Sequence, residues 1–230
     1  MLWNSCIIWP RSEQVGSEVL EEGKHIRVYV VDVRETERGP RAVISRTHPD
    51  LVKRLFETEV PEIYDGTVEI KAVSREAGSR TKLAVISHNP DVDAIGACIG
   101  ARGSRVSSIV EELGGEKIDI VEYNDDPAKF IASALSPANV LNVAVAADGS
   151  RSCRVTVPDS QLSLAIGNKG QNARLAAKLT GWKIDIKPES GFYGEEEPEE
   201  PSAQEAQEAE TAPEAPETET VSAEAPAGDA

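Results

Sequence analysis

Two loops of the same composition have the residue types needed to bind a phosphodiester strand. Ile99-Gly100-Ala101-Arg102-Gly103 recurs farther along the chain as Ile166-Gly167-Asn168-Lys169-Gly170. Glycine has no Cβ, so a sugar–phosphate backbone can lie against such a loop without a steric clash. The unpaired amides at the start of the following helix, with the positive end of the helix dipole, would point at phosphate oxygens. We therefore expect all four glycines to allow close approach of a phosphate backbone.

Side chains around the loops would add charge and apolar surface. Arg102 and Lys169 lie between the glycines and would contribute positive charge, while Ile99 and Ile166 would form an apolar floor. Further contacts are predicted for polar residues on the helices that follow the loops: Arg105, Gln171, Arg174 and Lys178. A separate basic cluster earlier in the chain comprises Arg75, Arg80 and Lys82. Its two interpretations are a solvated turn and an additional phosphate contact.

Both loops occupy the same place in a repeated order of elements. A proline begins a predicted helix at 49–58 in the first copy and at 127–135 in the second, and the first helical position favours proline. A β-hairpin follows each helix, with its turn near Gly78 or at Asp148-Gly149. Each hairpin leads into the short helix that carries the loop.

The ends of the later elements also match between the two copies. Asp91 and Asp159 are the predicted N-caps of the short helices before the loops. The helices after the loops are predicted to end at Gly114-Gly115 and at Gly181. The closing strand begins Lys-Ile-Asp-Ile in both copies, at 117–120 and 183–186. The repeated order is therefore helix, strand, strand, helix, loop, helix, strand.

This unit resembles a KH domain of the bacterial type II order, an RNA-binding module in which a Gly-x-x-Gly loop clamps the nucleotide backbone. The tandem pair, from about Gly23 to Pro188, resembles the NusA family of bacterial transcription factors. Three collinear strings carry this resemblance: SRTHPDLVKRLFETEVPEIYDGTVEIKAVSREAGSRTKLAV, GEKIDIVEYNDDPAKFIASALSPA and LSLAIGNKGQNARLAAKLTGWKIDI. It implies an α+β fold with two tandem type II KH domains (αββααβ order) and single-stranded RNA as the partner.

The resemblance also implies the domain organisation. The expected parts are a β-rich, partial S1 domain of the OB type at 1–46, a first KH domain at 47–124, a second KH domain at 125–190 and a disordered acidic tail at 191–230. Residues 23–46 look like the last hairpin of an S1 barrel with a turn at Gly39-Pro40, and residues 6–9 are a candidate third strand. The family further implies binding to RNA polymerase, through an amino-terminal domain that has no counterpart in this sequence.

The formal net charge of −16 is unevenly distributed. The region from Phe192 onward holds 13 of the 40 acidic residues and no lysine or arginine, so the rest of the chain is close to neutral. This region is rich in Glu, Ala and Pro without a periodic apolar face, which predicts disorder. Its composition suits either a solubilising extension or a polyanion that competes with nucleic acid for basic sites.

The sequence argues against an enzyme. No phosphate-loop motif is present, because Gly23-Lys24 is followed by His25. The residues that most often serve as metal ligands or nucleophiles are scattered: His25, His48, His88, Cys6, Cys98 and Cys153. We therefore expect no catalytic residue, cofactor or metal, and capping or surface roles for the histidines. We also expect no membrane span, and a monomer in the reducing cytoplasm.

Two functions fit these expectations. The first, implied by the resemblance, is a factor that grips nascent single-stranded RNA across both loops during elongation, pausing, termination and antitermination by bacterial RNA polymerase. The alternative is a ribosome-associated KH protein that acts in assembly. The short segment Ser136-Pro137-Ala138, interpreted as the joint between the two units, favours the first function, because a short joint would align both grooves in one track.

Overall fold

The structure is a computed structural model that describes residues 7–36, 39–147 and 149–191. Within these ranges the chain forms nine strands and seven helices, with additional short 3₁₀ turns. The strands are β1 (Ile7–Ile8), β2 (Tyr29–Thr36), β3 (Gly39–Ser45), β4 (Val68–Glu76), β5 (Arg80–Ser87), β6 (Lys117–Glu122), β7 (Asn142–Val145), β8 (Ser152–Val157) and β9 (Lys183–Pro188). The helices are α1 (Pro49–Glu59), α2 (Pro61–Tyr64), α3 (Ala94–Ile99), α4 (Ser104–Glu112), α5 (Pro127–Ala134), α6 (Leu162–Ile166) and α7 (Gln171–Thr180). The predicted acidic tail lies outside the described residues, apart from its first residue.

Two units with the same topology follow one another. In the first, β4 and β5 are antiparallel and β6 joins β5 in parallel, with α1, α3 and α4 supplying the helices. In the second, β7, β8 and β9 pair in the same way, and α5, α6 and α7 take the equivalent places. The first unit adds only the single-turn α2. This arrangement confirms the predicted α+β fold with two tandem type II KH domains.

Local sequence explains where the helices begin. Proline occupies the first turn of both α1 and α5, as predicted. At the start of α1, the Nδ1 atom of His48 accepts a hydrogen bond from the backbone amide of Asp50. At the start of α5, the Asp126 carboxylate accepts one from the backbone amide of Ala128. The N-cap of α3 is Asp93 rather than the predicted Asp91, because the chain makes one further turn before the helix starts.

The second prediction for a cap was also wrong. Asp159 begins a 3₁₀ turn ahead of α6, and α6 itself starts without a side-chain cap at Gln161. The Asp159 carboxylate instead accepts the Ser190 amide, 31 residues farther along the chain. A distant backbone partner of this kind is invisible to a local capping rule.

The two KH domains share a hydrophobic core. One face of the first domain's sheet packs on that domain's own helices, whereas the other face packs on α5 and α7 of the second domain. Ala84 and Val121, on β5 and β6, are 0% and 2% exposed within this shared core. Such contacts fix the two domains relative to each other, because separating them would expose apolar surface to water.

The joint between the domains differs from the predicted one. The chain crosses from β6 to α5 through residues 123–126, and Ser136-Pro137-Ala138 lies inside the second domain, between α5 and β7. That segment still touches the first domain, because the Lys82 ammonium donates to the Ser136 carbonyl at 2.7 Å. The two domains are thus aligned by packing across a broad face, and a short connection is only part of the reason.

The outward face of the second domain's sheet is polar. In the first domain, Ala72, Ala84 and Val121 lie in register across the three strands and face the second domain. The same row of the second domain consists of Asn142, Thr156 and Lys187. The neighbouring row places Arg154 and Asp185, which are 63% and 56% exposed, where the first domain has buried Lys82 and Asp119. The sheet face that binds a domain in the first repeat is therefore solvated in the second.

The amino-terminal region forms a small sheet with the order β1-β3-β2. The predicted hairpin of β2 with β3 is present, but Gly39 and Pro40 do not form its turn, because they lie in β3 and pair with Thr36 and Glu35. Ile7–Ile8 supply a third strand, parallel to β3. The side chains of Val30 and Val33 on β2 are 51% and 59% exposed, since the described residues do not close a barrel over them. Three strands of an S1-type domain are therefore present.

Arg46 anchors this small sheet to the first KH domain. Its guanidinium is 1% exposed, pairs with Glu18, and donates to the Glu112 carboxylate and carbonyl at the end of α4. The Tyr29 ring stacks on His48, with 4.5 Å between ring centroids. In the part of the chain that the structure describes, every helix is too short or too polar to cross a bilayer.

Candidate nucleic-acid interface

The two Gly-x-x-Gly loops have nearly the same backbone conformation. Gly100 and Gly167, which end α3 and α6, have φ/ψ of 74°/175° and 77°/174°. A single 3₁₀ turn follows, and then α4 or α7 begins directly after the second glycine. Arg102 and Lys169, at the tips, have positive φ values of 54° and 49°. Repetition of this geometry in two sequences that differ inside the loop indicates that the turn itself is the shared feature.

The two glycines of each loop have different tasks. The φ/ψ of Gly100 and Gly167 belong to a region that only glycine occupies readily. A Cβ on Gly167 would lie 2.8 Å from the backbone nitrogen of Asn172, and one on Gly100 would lie 2.7 Å from Arg105 Cγ. The first glycine is therefore required for packing of the loop against its own following helix, a task that the sequence-based expectation did not include.

The second glycine of each loop has room for a Cβ. A Cβ on Gly103 would meet its nearest neighbour at 3.8 Å, and one on Gly170 at 3.7 Å. Both glycines have left-handed φ/ψ, with φ of 79° and 71°. The surface at Gly103 and Gly170 is therefore smooth and accessible, as an approaching backbone requires.

The glycine amides are already used inside the turns. Gly100 donates to the Gly96 carbonyl and Gly103 to the Gly100 carbonyl, at 2.9 and 3.1 Å. Gly167 and Gly170 make the equivalent bonds. This leaves the two inner residues of each loop, rather than the glycines, as the candidates for contact with a phosphate.

The predicted basic residues fall into two groups. Arg102, Lys169 and Lys178 are exposed, and within the described residues none of them forms an ion pair. Arg105 and Arg174, in contrast, pair with Glu62 and Glu76. Only the first group has its full charge available to a ligand.

Arg105 and Asn172 occupy equivalent positions and hold the helices that precede the loops. Arg105 Nη1 donates to the Ala97 carbonyl near the end of α3, at 2.6 Å. Asn172 is 2% exposed, and its amide group donates to the Ala165 and Leu135 carbonyls at 3.0 and 3.1 Å. Sequence reasoning missed Asn172, although its position one turn after Gly167 matches that of Arg105 after Gly100.

Gln171 and Arg174 contact the first KH domain. The Gln171 amide group donates to Glu76 Oε2 and to Ser79 Oγ, both at 2.7 Å. Arg174 donates through Nε and Nη2 to Glu76 Oε1, at 3.1 and 3.0 Å. Glu76 and Ser79 flank the β4–β5 turn, so this corner of the first domain lies beside the second loop.

The basic cluster of Arg75, Arg80 and Lys82 forms ion pairs within the protein. Arg75 is 2% exposed and forms a two-pronged pair with Glu116, which is itself 0% exposed. Arg80 pairs with Asp119, and the fully buried Lys82 ammonium contacts the same carboxylate at 3.1 Å. These contacts argue against a phosphate-binding role for this cluster, because each cation is already neutralised. Glu116, at the start of β6, gave no sequence signal of this role.

Apolar side chains line the approach to both loops. Ile99 and Ile166, directly before the first glycines, are each 38% exposed. Leu164 adds an exposed apolar side chain beside the second loop, at 46%, and had not been singled out from the sequence. Ala101 and Asn168 are exposed at the inner loop positions. Each loop thus combines an exposed turn, an exposed cation and an aliphatic contact surface.

The histidines and cysteines show no catalytic arrangement among the described residues. His48 caps α1, and His88 contacts Glu69 at the surface. Burial raises the pKa of the Cys98 thiol to about 12, which keeps it in the unreactive protonated form. Burial also raises the pKa of Cys153. No cluster of His, Cys, Asp and Glu in the described ranges could hold a metal ion, and Cys6 lies outside these ranges.

Comparison with known proteins assigns the family. Residues 46–123 match the model of the NusA-like first KH domain, and residues 127–193 match that of the NusA-like second KH domain. The chain belongs to the NusA family. Its relatives include the transcription termination/antitermination protein NusA of Halalkalibacterium halodurans, 59% identical over 181 residues, 79% of this chain and 47% of the relative.

Other NusA proteins show the same coverage. The NusA of Bacillus subtilis is 58% identical, covering 79% of this chain and 48% of its own length. That of Thermus thermophilus is 49% identical over 178 residues, covering 77% and 46%. The chain therefore spans about half the length of these NusA relatives.

Proposed function

We propose that this chain binds single-stranded RNA across two Gly-x-x-Gly grooves that its fold holds in one track. The observation that carries the proposal is the pair of matched loops, each with an exposed basic tip and an exposed isoleucine, on domains that share a hydrophobic core. A KH loop binds the sugar–phosphate backbone of a single strand whose bases are splayed out. Two such loops on one rigid body would bind a longer strand than either alone.

The contacts are assigned as follows. Arg102 and Lys169 attract phosphates, Gly103 and Gly170 allow close approach, and Ile99 and Ile166 contact sugars or bases. Ala101, Asn168 and Lys178 complete the surface. Gly100, Gly167, Arg105, Gln171 and Arg174 shape it from within, rather than meeting RNA as the sequence suggested. The domains remain assigned to 47–124 and 125–190.

The wider role follows from the names of the relatives. Proteins named transcription termination/antitermination protein share most of this chain, so we assign it to elongation, pausing, termination and antitermination on nascent RNA. We propose a cytoplasmic, non-enzymatic, monomeric factor that associates with bacterial RNA polymerase. The relatives described above therefore favour this role over the ribosome-associated alternative.

Charge reversal at the loop tips tests RNA binding. Arg102→Asp and Lys169→Asp each place a carboxylate where we expect a phosphate to bind, and aspartate tolerates the left-handed backbone there. We expect each variant to weaken binding of a single-stranded RNA about tenfold or more at low salt. Each should also reduce the slope of log K against log salt by roughly 0.7, the value for one lost phosphate contact.

Arg151→Asp is the matched control. Arg151 is an exposed arginine with φ of 49°, on the β7–β8 connection of the second domain. It undergoes the same charge change at the same backbone conformation, so it reproduces every general effect of added negative charge. Equal loss of RNA affinity in all three variants would overturn the assignment of the grooves.

A further inference from the structure

We propose that Arg174 is a positioning residue through which the first KH domain holds the RNA-binding loop of the second. This inference rests on the proposed function, since it explains how one of the two grooves keeps its shape. Arg174 lies one turn into α7 and contacts both the second loop and the first domain. Its role is thus to brace the loop and not to bind RNA.

The brace acts on the tip of the loop. Arg174 Nη1 donates to the Lys169 carbonyl at 2.6 Å. Lys169 adopts φ of 49°, a left-handed conformation that is strained for a residue with a side chain. A charged hydrogen bond to its carbonyl offsets this strain and fixes the direction in which the lysine points.

Glu76 of the first domain holds Arg174 in place. Its Oε1 accepts hydrogen bonds from both Nε and Nη2 of Arg174, while its Oε2 accepts one from the side-chain amide of Gln171. The second hydrogen of the Gln171 amide group goes to Ser79, so this side chain is fully engaged with the first domain. The hydrogen bond from Gln171 and the charge of Arg174 together lower the pKa of the Glu76 carboxyl despite partial burial. Glu76 thus remains ionised at neutral pH.

The first loop has no equivalent brace. Ser104 and Ser107 stand where the second loop has Gln171 and Arg174. Among the described residues no side chain donates to the Arg102 carbonyl. Arg105 pairs with Glu62 and donates to the Ala97 carbonyl ahead of the first loop, and all three residues belong to the first domain. The second loop alone depends on a neighbouring domain.

A direct RNA contact by Arg174 predicts the opposite result for Glu76. If Arg174 binds phosphate, removal of its competing carboxylate in Glu76→Gln frees a cation and strengthens RNA binding. If Arg174 braces the loop, the same change releases the brace and weakens binding. The sign of the effect therefore separates the two roles.

The experiment compares Glu76→Gln, Arg174→Gln and the double variant with Glu57→Gln as the control. Glu57 is also a carboxylate paired with an arginine, Arg54, but the pair lies on α1 rather than beside a loop, and Glu57 and Glu76 are both 26% exposed. Both single changes remove one negative charge, so their general electrostatic effect on RNA is the same. Relative to Glu57→Gln, we expect Glu76→Gln to weaken RNA binding about three- to fivefold. The double variant should be no weaker than Arg174→Gln alone.

A second measurement uses the protein without RNA. The backbone amide resonances of Lys169 and Gly170 should shift in Glu76→Gln and in Arg174→Gln, and stay in place in Glu57→Gln. Unchanged loop resonances, or stronger RNA binding by Glu76→Gln, would overturn the brace. If the loop shifts as expected while the unaltered chain binds no RNA, the proposed function fails and the brace stands.

Discussion

At the scale of single residues, the Gly-x-x-Gly signature contains two kinds of glycine. Gly167 is required because a side chain would collide with the backbone of Asn172, at a φ/ψ that other residues avoid. Gly170 has left-handed φ/ψ, and a Cβ there would make only ordinary van der Waals contact. A sequence alone cannot distinguish them, because both are simply glycines in a turn.

This difference predicts unequal costs of substitution. Gly167→Ala should lower the free energy of unfolding by about 3 kcal/mol or more, from strain and collision together. Gly170→Ala should lower it by only about 1 kcal/mol, from backbone strain alone. Urea unfolding followed by circular dichroism measures both. Equal losses would contradict the division of tasks.

Residue types singled out the two loops as the candidate RNA site, but they did not show which of the nearby cations have carboxylate partners. Arg102 and Arg105 look equivalent in sequence, yet only Arg105 has a carboxylate partner, Glu62, which lies 43 residues away. Arg174 likewise meets Glu76, 98 residues earlier in the chain. Such pairs form only when the fold brings distant elements together, so local spacing carries no signal of them.

At the scale of elements, the repeated Lys-Ile-Asp-Ile strands show how one motif serves two environments. Asp119 on β6 contacts Arg80 and the fully buried Lys82, where the second domain covers the sheet. Asp185 on β9 occupies the same place, 56% exposed and 3.6 Å from Arg154. The internal repeat therefore provides a buried ion pair and its own surface control.

The two aspartates should differ in their contribution to stability. Asp119→Asn leaves the Lys82 ammonium buried without a counter-ion, which should lower the free energy of unfolding by about 3–5 kcal/mol. Asp185→Asn should lower it by less than about 1 kcal/mol, as for other exposed pairs. Thermal and urea unfolding would detect this difference. Similar losses would mean that burial by the second domain does not decide the strength of the pair.

The Asp119 pair also gives a pH dependence. Burial by itself raises the pKa of the Asp119 carboxyl, but the Arg80 hydrogen bond and the Lys82 charge outweigh burial and lower it overall. The unfolded chain therefore takes up the proton first, near the ordinary value of about 3.9. The stabilisation from this group is complete above that pH and is lost as the pH falls through the folded-state pKa.

The order of elements was predictable because the same order occurs twice in the sequence. Helix starts at Pro49 and Pro127 follow from proline's fixed φ, and the hairpins follow from alternating strands around a turn. The path between the domains was not predictable in the same way. The packing of α5 and α7 on the first sheet depends on surfaces contributed by both domains, so no single segment reveals it.

At the scale of the whole molecule, the shared core makes two domains behave as one. Val121 is 2% exposed between them, and the second domain has Lys187 in the equivalent place. Replacing each of these residues by its counterpart in the other domain, Val121→Lys and Lys187→Val, therefore tests the interface. The interface also fixes the relative position of the two proposed RNA grooves, so stability and affinity should respond together.

Val121→Lys should lower the free energy of unfolding by about 3 kcal/mol, because it places an ammonium group in the shared core. Its affinity for an RNA long enough to reach both loops should fall toward that for a short RNA, as the grooves lose alignment. Lys187→Val should change stability by less than about 1 kcal/mol. Unaltered preference for the longer RNA in a folded Val121→Lys chain would show that the grooves act independently.

The polar row formed by Asn142, Thr156 and Lys187 limits how far this architecture can grow. A further helix pair placed on it, from another module or from a second copy of the chain, would strip water from an amide and an ammonium group without replacing their partners. The apolar row of the first domain, Ala72, Ala84 and Val121, can be covered without this cost. Docking of a helix pair is therefore favoured on the first sheet and disfavoured on the second.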